Sequence, residues 1–311
     1  MQGRQDACAP RLSPRFLVMH FSRIVIVGVG LIGGSFALAA RRAGFVDRIT
    51  GWDIDKEALN EAVSRGIIDG IEDTFDTGKV CQADLVYLAA PVGAILNFLR
   101  NRANSMKPGA VVTDAGSTKR EICRVAAEAL PERVSFVGGH PMAGSHNAGV
   151  RHANVDLFCG APYALVVHRP EARSANEAAV EELVRAIGGR PVEVSAEEHD
   201  QIVARVSHAP QLLATALACA AARHRSEADL RLAGSGFAEM VRLAASSWSM
   251  WEDICRTNAD QIAVALDEVI SEMDGVRSSV AGGEFDGLRA VFEEANELVR
   301  RLRSSADGDD S

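Results

Sequence analysis

The hexapeptide Gly28-Val29-Gly30-Leu31-Ile32-Gly33 follows a β-branched run directly and opens a helical pattern, the setting of a phosphate-cradling loop. In such a loop Gly28 makes the tight turn, Gly30 lets the backbone approach a pyrophosphate, and Gly33 permits close helix–strand packing. The helix opened by Leu31 and Ile32 turns free N–H groups and its positive dipole end towards phosphate oxygens. An acid is expected about twenty residues further on, at the end of the second strand. Asp53 stands there, placed to accept hydrogen bonds from a ribose hydroxyl pair. A carboxylate at that point repels a 2′-phosphate, so NAD is favoured over NADP. The competing interpretation is a glycine turn in an unrelated α/β domain, with Asp53 as a helix N-cap.

Three further segments carry reactive groups. Asp114-Ala115-Gly116-Ser117-Thr118-Lys119 and Gly138-Gly139-His140-Pro141-Met142-Ala143-Gly144-Ser145 each lie at the carboxyl end of an expected strand. Ligands gather outside those ends in open α/β sheets, so Ser117 and His140 should converge near a nicotinamide. Oxidising an alcohol by hydride transfer needs a base for the hydroxyl proton, and a histidine with a pKa of about 6.5 suits neutral pH. In the third segment, His199-Asp200 precedes Ser207-His208-Ala209-Pro210-Gln211. Pro210 removes a helical hydrogen bond and should kink the helix at the Val206 carbonyl, leaving His208 and Gln211 on one face. Downstream, Arg242 stands among Val241, Leu243 and Ala244, where its fork would match the two oxygens of a carboxylate.

Each of these residues also has a plainer account. His140 could be a loop histidine bonded to backbone, and His208 a satisfied core residue. Arg242 could be a surface arginine laying its stem over apolar neighbours. His199-Asp200 fits a helix-surface pair, and Trp251 fits packing. His20, His146, His152, His168 and His224 show no metal-ligand spacing, so no metal is expected.

Positioning these groups requires a sheet. Strands are expected at 23–27, 48–52, 84–89, 110–114, 135–137, 164–167 and 191–194, with helices at 32–42, 56–65, 94–103, 119–129 and 176–187. Strands alternating with helices imply βαβ units and a parallel, doubly wound, Rossmann-like α/β sheet. After Val194 the β signal stops, and helices are expected at 196–223, 227–245, 250–273 and 288–303. The expected organisation is a disordered leader over 1–20, a dinucleotide-binding domain over 21–195, an all-helical substrate and dimerisation domain over 196–303, and a disordered tail over 304–311.

Composition narrows the class. The chain has 311 residues, of which 47% are hydrophobic and 24% charged, as in ordinary globular proteins. A net charge of -9 argues against nucleic acid, which requires a basic face. Six scattered cysteines without a C-x-x-C pair fit reduced, mostly buried thiols in a reducing compartment. No apolar run suits a membrane span, and the apolar stretch from Phe16 to Met19 is too short for a signal-peptide core. A cytoplasmic location follows, and Met19 is a second possible start.

Taken together, VGVGLIGGS, DAGSTK, GGHPMAGS, EEHD, SHAP, and GSGF with Arg242-Leu243-Ala244 and Trp251 behind it resemble the prephenate/arogenate dehydrogenases, in that family's order, over residues 21–258. The resemblance implies oxidative decarboxylation of a cyclohexadienyl dicarboxylate with NAD, in tyrosine biosynthesis. It implies that His140 takes the C4 hydroxyl proton, that Ser117 bonds the hydroxyl and orients the histidine, and that Arg242 binds a substrate carboxylate. Ser207, His208, Gln211 and Ser145 complete the implied substrate pocket. Two departures from the family pattern stand out. His146 replaces an acid after HPMAGS, and Gln211 replaces a second histidine. Loss of an acid removes a partner for the ammonium of arogenate and favours prephenate. With no residues after Arg303 for a regulatory domain and no mutase-like helical unit before Phe21, a monofunctional enzyme is expected, and the broad apolar faces of the helical half suggest a homodimer through that domain. The alternatives are a β-hydroxyacid dehydrogenase, a pyrroline-carboxylate reductase, or a non-catalytic NAD-binding sensor.

Overall fold

The computed structural model describes residues 20–144, 147–166, 174–223 and 231–307, and the chain divides into two compact units, Met1–Ala259 and Asp260–Ser311. Ser145, His146 and the expected leader up to residue 19 lie outside the described residues.

The first unit is built on an eight-stranded sheet, in order β3-β2-β1-β4-β5-β6-β7-β8. Its strands are β1 (Phe21–Val27), β2 (Val46–Trp52), β3 (Gly70–Ile71), β4 (Leu85–Leu88), β5 (Val111–Asp114), β6 (Ser135–Pro141), β7 (Pro162–Val166) and β8 (Arg190–Val194). Ile24, Val25 and Ile26 of β1 are all fully buried, as both-face coverage requires. One face packs against α1 (Leu31–Arg42) and α6 (Ala175–Ala186), through Phe36, Ala40, Val180 and Leu183. The other packs against α4 (Val92–Arg102) and α5 (Arg120–Ala129), through Ile95, Leu99, Ile122 and Val125. The helices α2 (Lys56–Ser64) and α3 (Thr74–Thr77) flank the β2–β3 edge.

The sheet departs from the expected all-parallel arrangement at one junction. β7 runs antiparallel to β6, while β8 pairs parallel with β7. Among its described residues the β6–β7 connection holds a 3-10 turn at Val150–His152 and no crossover helix, and the chain returns alongside the strand it left. β3 and α3 were not expected; at two and four residues they are too short to show periodicity.

Beyond β8 the unit is helical. α7 (Ala196–Val203), a π turn (Ala204–His208) and α8 (Ala209–Arg223) form the interrupted helix foreseen around Pro210. Pro210 has no N–H for the Val206 carbonyl, and the Ala209 N–H reaches back to the Ala204 carbonyl instead, widening the turn. The helix expected at 227–245 is broken. Residues 227–230 lie outside the described residues, and α9 (Ser235–Val241) starts after Gly234 and hands over to a 3-10 segment, Arg242–Ala245. The helix expected at 250–273 is also two. α10 (Trp248–Thr257) stops at Asn258, whose backbone leaves helical geometry while its side chain is fully buried in polar contacts.

In the second unit α11 (Ala259–Gly282) and α12 (Phe285–Asp307) expose Ile270, Met273, Phe285, Phe292 and Leu298. α12 continues through Asp307, past the expected start of the tail at Ser304. Among the described residues no helix is long and apolar enough to cross a membrane. Of the cysteines expected to be reduced and mostly buried, Cys81 is a buried thiol and Cys123 and Cys255 are half-buried thiols. Cys219 is exposed, and Cys159 is disulfide-bonded.

Candidate active site

β1, β2, β4, β5 and β6 run parallel, so their carboxyl ends open along one edge of the sheet. The glycine loop sits at the end of β1. Gly28 has φ +93°, and a Cβ there would lie 2.6 Å from the Ala89 carbonyl oxygen, so only glycine fits. A Cβ on Gly33 would fall 2.1 Å from the Gly28 carbonyl oxygen. A Cβ on Gly30 would meet open space, and no side chain caps α1 there. The first-turn amides of Leu31, Ile32 and Gly33 therefore face an open cradle. Asp53 braces the loop, accepting from the Val29 N–H at 2.8 Å and from the Asp55 N–H at 2.9 Å. A carboxylate has further acceptor sites for ribose hydroxyls. These residues fit a dinucleotide.

A network of buried polar groups lies at the ends of β5 and β6. Asp114 and Lys119 are a fully buried ion pair. Asp114 accepts from the Gly116 N–H at 2.8 Å and the Gly139 N–H at 3.0 Å, and the Lys119 ammonium donates to the Gly139 carbonyl at 2.7 Å. The pair clips the Ser117 loop to the strand residue next to His140.

His140, half-buried, places its Nδ1 2.9 Å from His199 Nε2. His199 Nδ1 in turn lies 2.8 Å from Asp200 Oδ1. Asp200 also accepts the Lys119 and Arg120 backbone N–H groups at 2.7 and 3.0 Å. The order fixes the tautomers. The carboxylate can only accept, so His199 carries its proton on Nδ1 and offers the Nε2 lone pair to His140 Nδ1–H. His140 Nε2 is left unprotonated.

Asn258 extends the network, donating to the Asp200 carbonyl at 2.8 Å and approaching His208 Nδ1 at 3.4 Å. The His208 ring meets Trp251 edge to face at 5.8 Å. Burial, then the charges of His199 and Lys119, hold His140 well below the usual imidazole range. Burial lowers His199 despite its bond to Asp200, and takes His208 down to about 4. Burial would raise Asp200, but hydrogen bonds from His199 and from the Arg120 and Lys119 amides bring it below the ordinary carboxylate value. All three imidazoles are neutral at pH 7.

A glycine cradle beside a neutral, pre-oriented base is the equipment of a hydride-transfer enzyme, and comparison with known proteins gives it a family. A family model described as the prephenate dehydrogenase nucleotide-binding domain matches residues 36–193, and one described as the prephenate dehydrogenase dimerization domain matches residues 195–294. A prephenate dehydrogenase of Bacillus subtilis is 38% identical over 279 residues, spanning 88% of this chain and 74% of that protein.

The chain belongs to the prephenate dehydrogenase family.

The fold agrees with that assignment. A crystal structure of prephenate dehydrogenase from A. aeolicus, in complex with hydroxyphenyl propionate and NAD+, matches with a TM-score of 0.83 and 29% identity over 91% of this chain and 98% of that one. The Synechocystis arogenate dehydrogenase matches with a TM-score of 0.76 and 26% identity over 90% and 99%. The protein is an NAD-dependent dehydrogenase of the prephenate/arogenate type, an enzyme of tyrosine biosynthesis.

The expected site residues of this prephenate dehydrogenase family member are only partly joined. His140 and His208 share the buried network. Ser117 is half-buried in its loop, and no hydrogen bond joins it to His140 among the described residues; the imidazole's partner is His199. Ser207 lies half-buried on the π turn. The Gln211 amide is spent on the protein itself, donating to the Leu243 carbonyl at 2.7 Å and accepting from Ser246 Oγ at 3.3 Å. It thereby ties the turn carrying Arg242 to α8. Arg242 is exposed and has no ion-pair partner among the described residues.

His199-Asp200, expected on a helix surface, is buried to 2% and 0% exposure. A capping box at Ser195 and Glu198 fixes the start of α7, which turns His199, Asp200 and Val203 inward together. Polar residues sharing the inward stripe with Val203 were the signal available. Lys119 and Asn258 were also missed, because their partners are distant in sequence.

Proposed function

We propose that the enzyme oxidises and decarboxylates prephenate to 4-hydroxyphenylpyruvate, with His140 as the general base. The observation that carries this reading is the Asp200–His199–His140 chain, which leaves His140 Nε2 as a lone pair at the carboxyl edge of the sheet. Bound NAD supplies the hydride acceptor. As C4 gives up its hydride, Nε2 accepts the hydroxyl proton, and the new charge on His140 is stabilised through Nδ1–H by His199 and Asp200. Loss of the ring carboxylate as carbon dioxide leaves an aromatic ring. Ser117 supports the hydroxyl, and the exposed guanidinium of Arg242 takes a substrate carboxylate. His208, with Asn258 against Nδ1, presents Nε2–H as a neutral donor to the same pocket, and Ser207 lines it.

Prephenate is favoured over arogenate because His146 stands where family members commonly carry an acid, which leaves no carboxylate at that position for an ammonium. The assignment of Ser145 to the pocket, and of His146 in place of an acid, falls outside the described residues. Residues 21–195 bind the dinucleotide, and 196–303 complete the substrate site and form a cytoplasmic homodimer. The exposed apolar side chains of α11 and α12, and the dimerization-domain model that covers α11 and the start of α12, support that assembly.

NADH formation with prephenate and with arogenate, compared as kcat/KM, tests the reading. Prephenate should be the better substrate, and Arg242→Met should raise KM for it by about tenfold or more. Equal turnover of arogenate would overturn the substrate preference. An unchanged KM would remove Arg242 from the site.

A further inference from the structure

The edge of the dinucleotide site beyond Asp53 has a charge arrangement that the loop motif does not foretell. Two features there could receive a 2′-phosphate. One is the N-terminus of α2, which follows Asp53 directly. The other is Lys56, the cation nearest to Asp53 in sequence. A carboxylate occupies each. Asp55 caps α2, its Oδ1 accepting from the Glu57 and Ala58 N–H groups at 2.9 and 3.1 Å. Lys56 donates to the Asp53 carbonyl at 3.3 Å and pairs with Asp76 at 3.9 Å.

Asp76 is not loosely placed. The Trp52 indole N–H donates to it at 3.1 Å, and that indole is packed against Phe75 and Phe98, with ring centroids 6.2 and 5.7 Å away. The aromatic cluster thus places a second acid beside Lys56. A 2′-phosphate would meet Asp53, and the cation that could offset it faces the Asp76 carboxylate at 3.9 Å.

We propose that Asp76, held by Trp52 and paired with Lys56, is a second determinant of NAD selectivity, acting alongside Asp53. This inference rests on the assignment of Asp53 to the ribose. On that basis Asp53→Ser alone weakens NADH binding but gains little for NADPH, because Lys56 stays engaged. Asp76→Asn keeps an oxygen for the Trp52 N–H and removes the charge, which frees Lys56 for a phosphate.

Dissociation constants for NADH and NADPH, read from the quenching of tryptophan fluorescence, test this on four proteins: the parent, Asp53→Ser, Asp53→Ser/Asp76→Asn, and the latter with Lys56→Met. Thermal melts confirm that each is folded. The double variant should bind NADPH about five- to tenfold more tightly than Asp53→Ser, and Lys56→Met should abolish the gain. No gain from Asp76→Asn, or a gain that survives Lys56→Met, would overturn the proposal. Failure of Asp53→Ser to weaken NADH would instead overturn the ribose assignment, and the two results are separately visible.

Discussion

The two halves of the site are made from different materials. The cofactor half, at the end of β1, is backbone: glycines without side chains, helix-start amides that no side chain caps and a bracing carboxylate, Asp53. The catalytic half, where β5 and β6 meet α7 and the π turn, is made of buried side chains: Asp114, Lys119, His199, Asp200, His208 and Asn258. A backbone cradle is sensitive to added atoms. A buried side-chain network is sensitive to removed ones, because each lost partner leaves another group unsatisfied.

This contrast can be tested from both sides. The largest effect belongs to His140→Asn, which should lower kcat by about 10²–10⁴-fold with the dissociation constant for NADH unchanged. Steady-state kinetics together with a cofactor titration check this, and a parallel loss of NADH binding would blur the line between the halves. Lys119→Met comes next. Breaking a buried ion pair strands Asp114, at a cost of about 3–5 kcal/mol measured by urea unfolding. A neutral outcome would mean that the clip between the Ser117 loop and β6 is dispensable. Gly33→Ala should act on the other half. Its Cβ overlaps the Gly28 carbonyl, so the loop must shift, with a cost of about 1–3 kcal/mol that appears mainly as weaker NADH binding and little as a change in the pH profile of turnover.

The same contrast explains what could be read from the residues alone. The glycine loop and Asp53 are local: strand, turn and helix lie within one short stretch, and glycine spacing encodes their geometry. The π turn at Pro210 was similarly foreseeable, because one residue lacks the hydrogen-bond donor that a regular helix needs. His199 and Asp200 were not recognised, because their meaning depends on Lys119 and Arg120 about eighty positions away, and on His140 across the sheet edge. A His-Asp pair looks the same on a wet helix as in a catalytic network. Asn258 ends α10 for a similarly distant reason, its contacts with Asp200 and His208. The hold of the Gln211 amide on the Arg242 turn was hidden for the same reason, since Leu243 and Ser246 lie more than thirty positions away. The reversal of β7 was hidden because strand direction leaves no mark in residue pattern when both faces are buried.

At the centre of this account, burial keeps His140 neutral, and its hydrogen bond to His199, itself held by Asp200, leaves Nε2 free. The pH dependence of kcat/KM tests this most directly, since it reports the ionisation of the free enzyme. With the His140 pKa lowered, the base form persists through neutral pH, and activity should fall only as pH drops clearly below about 6.5. His199→Asn removes the orienting acceptor and an imidazole whose protonation opposes that of His140, so the acid limb should move up towards the ordinary histidine value while the plateau drops. An acid limb at or above the ordinary value in the parent enzyme, or a limb that His199→Asn leaves in place, would contradict the account.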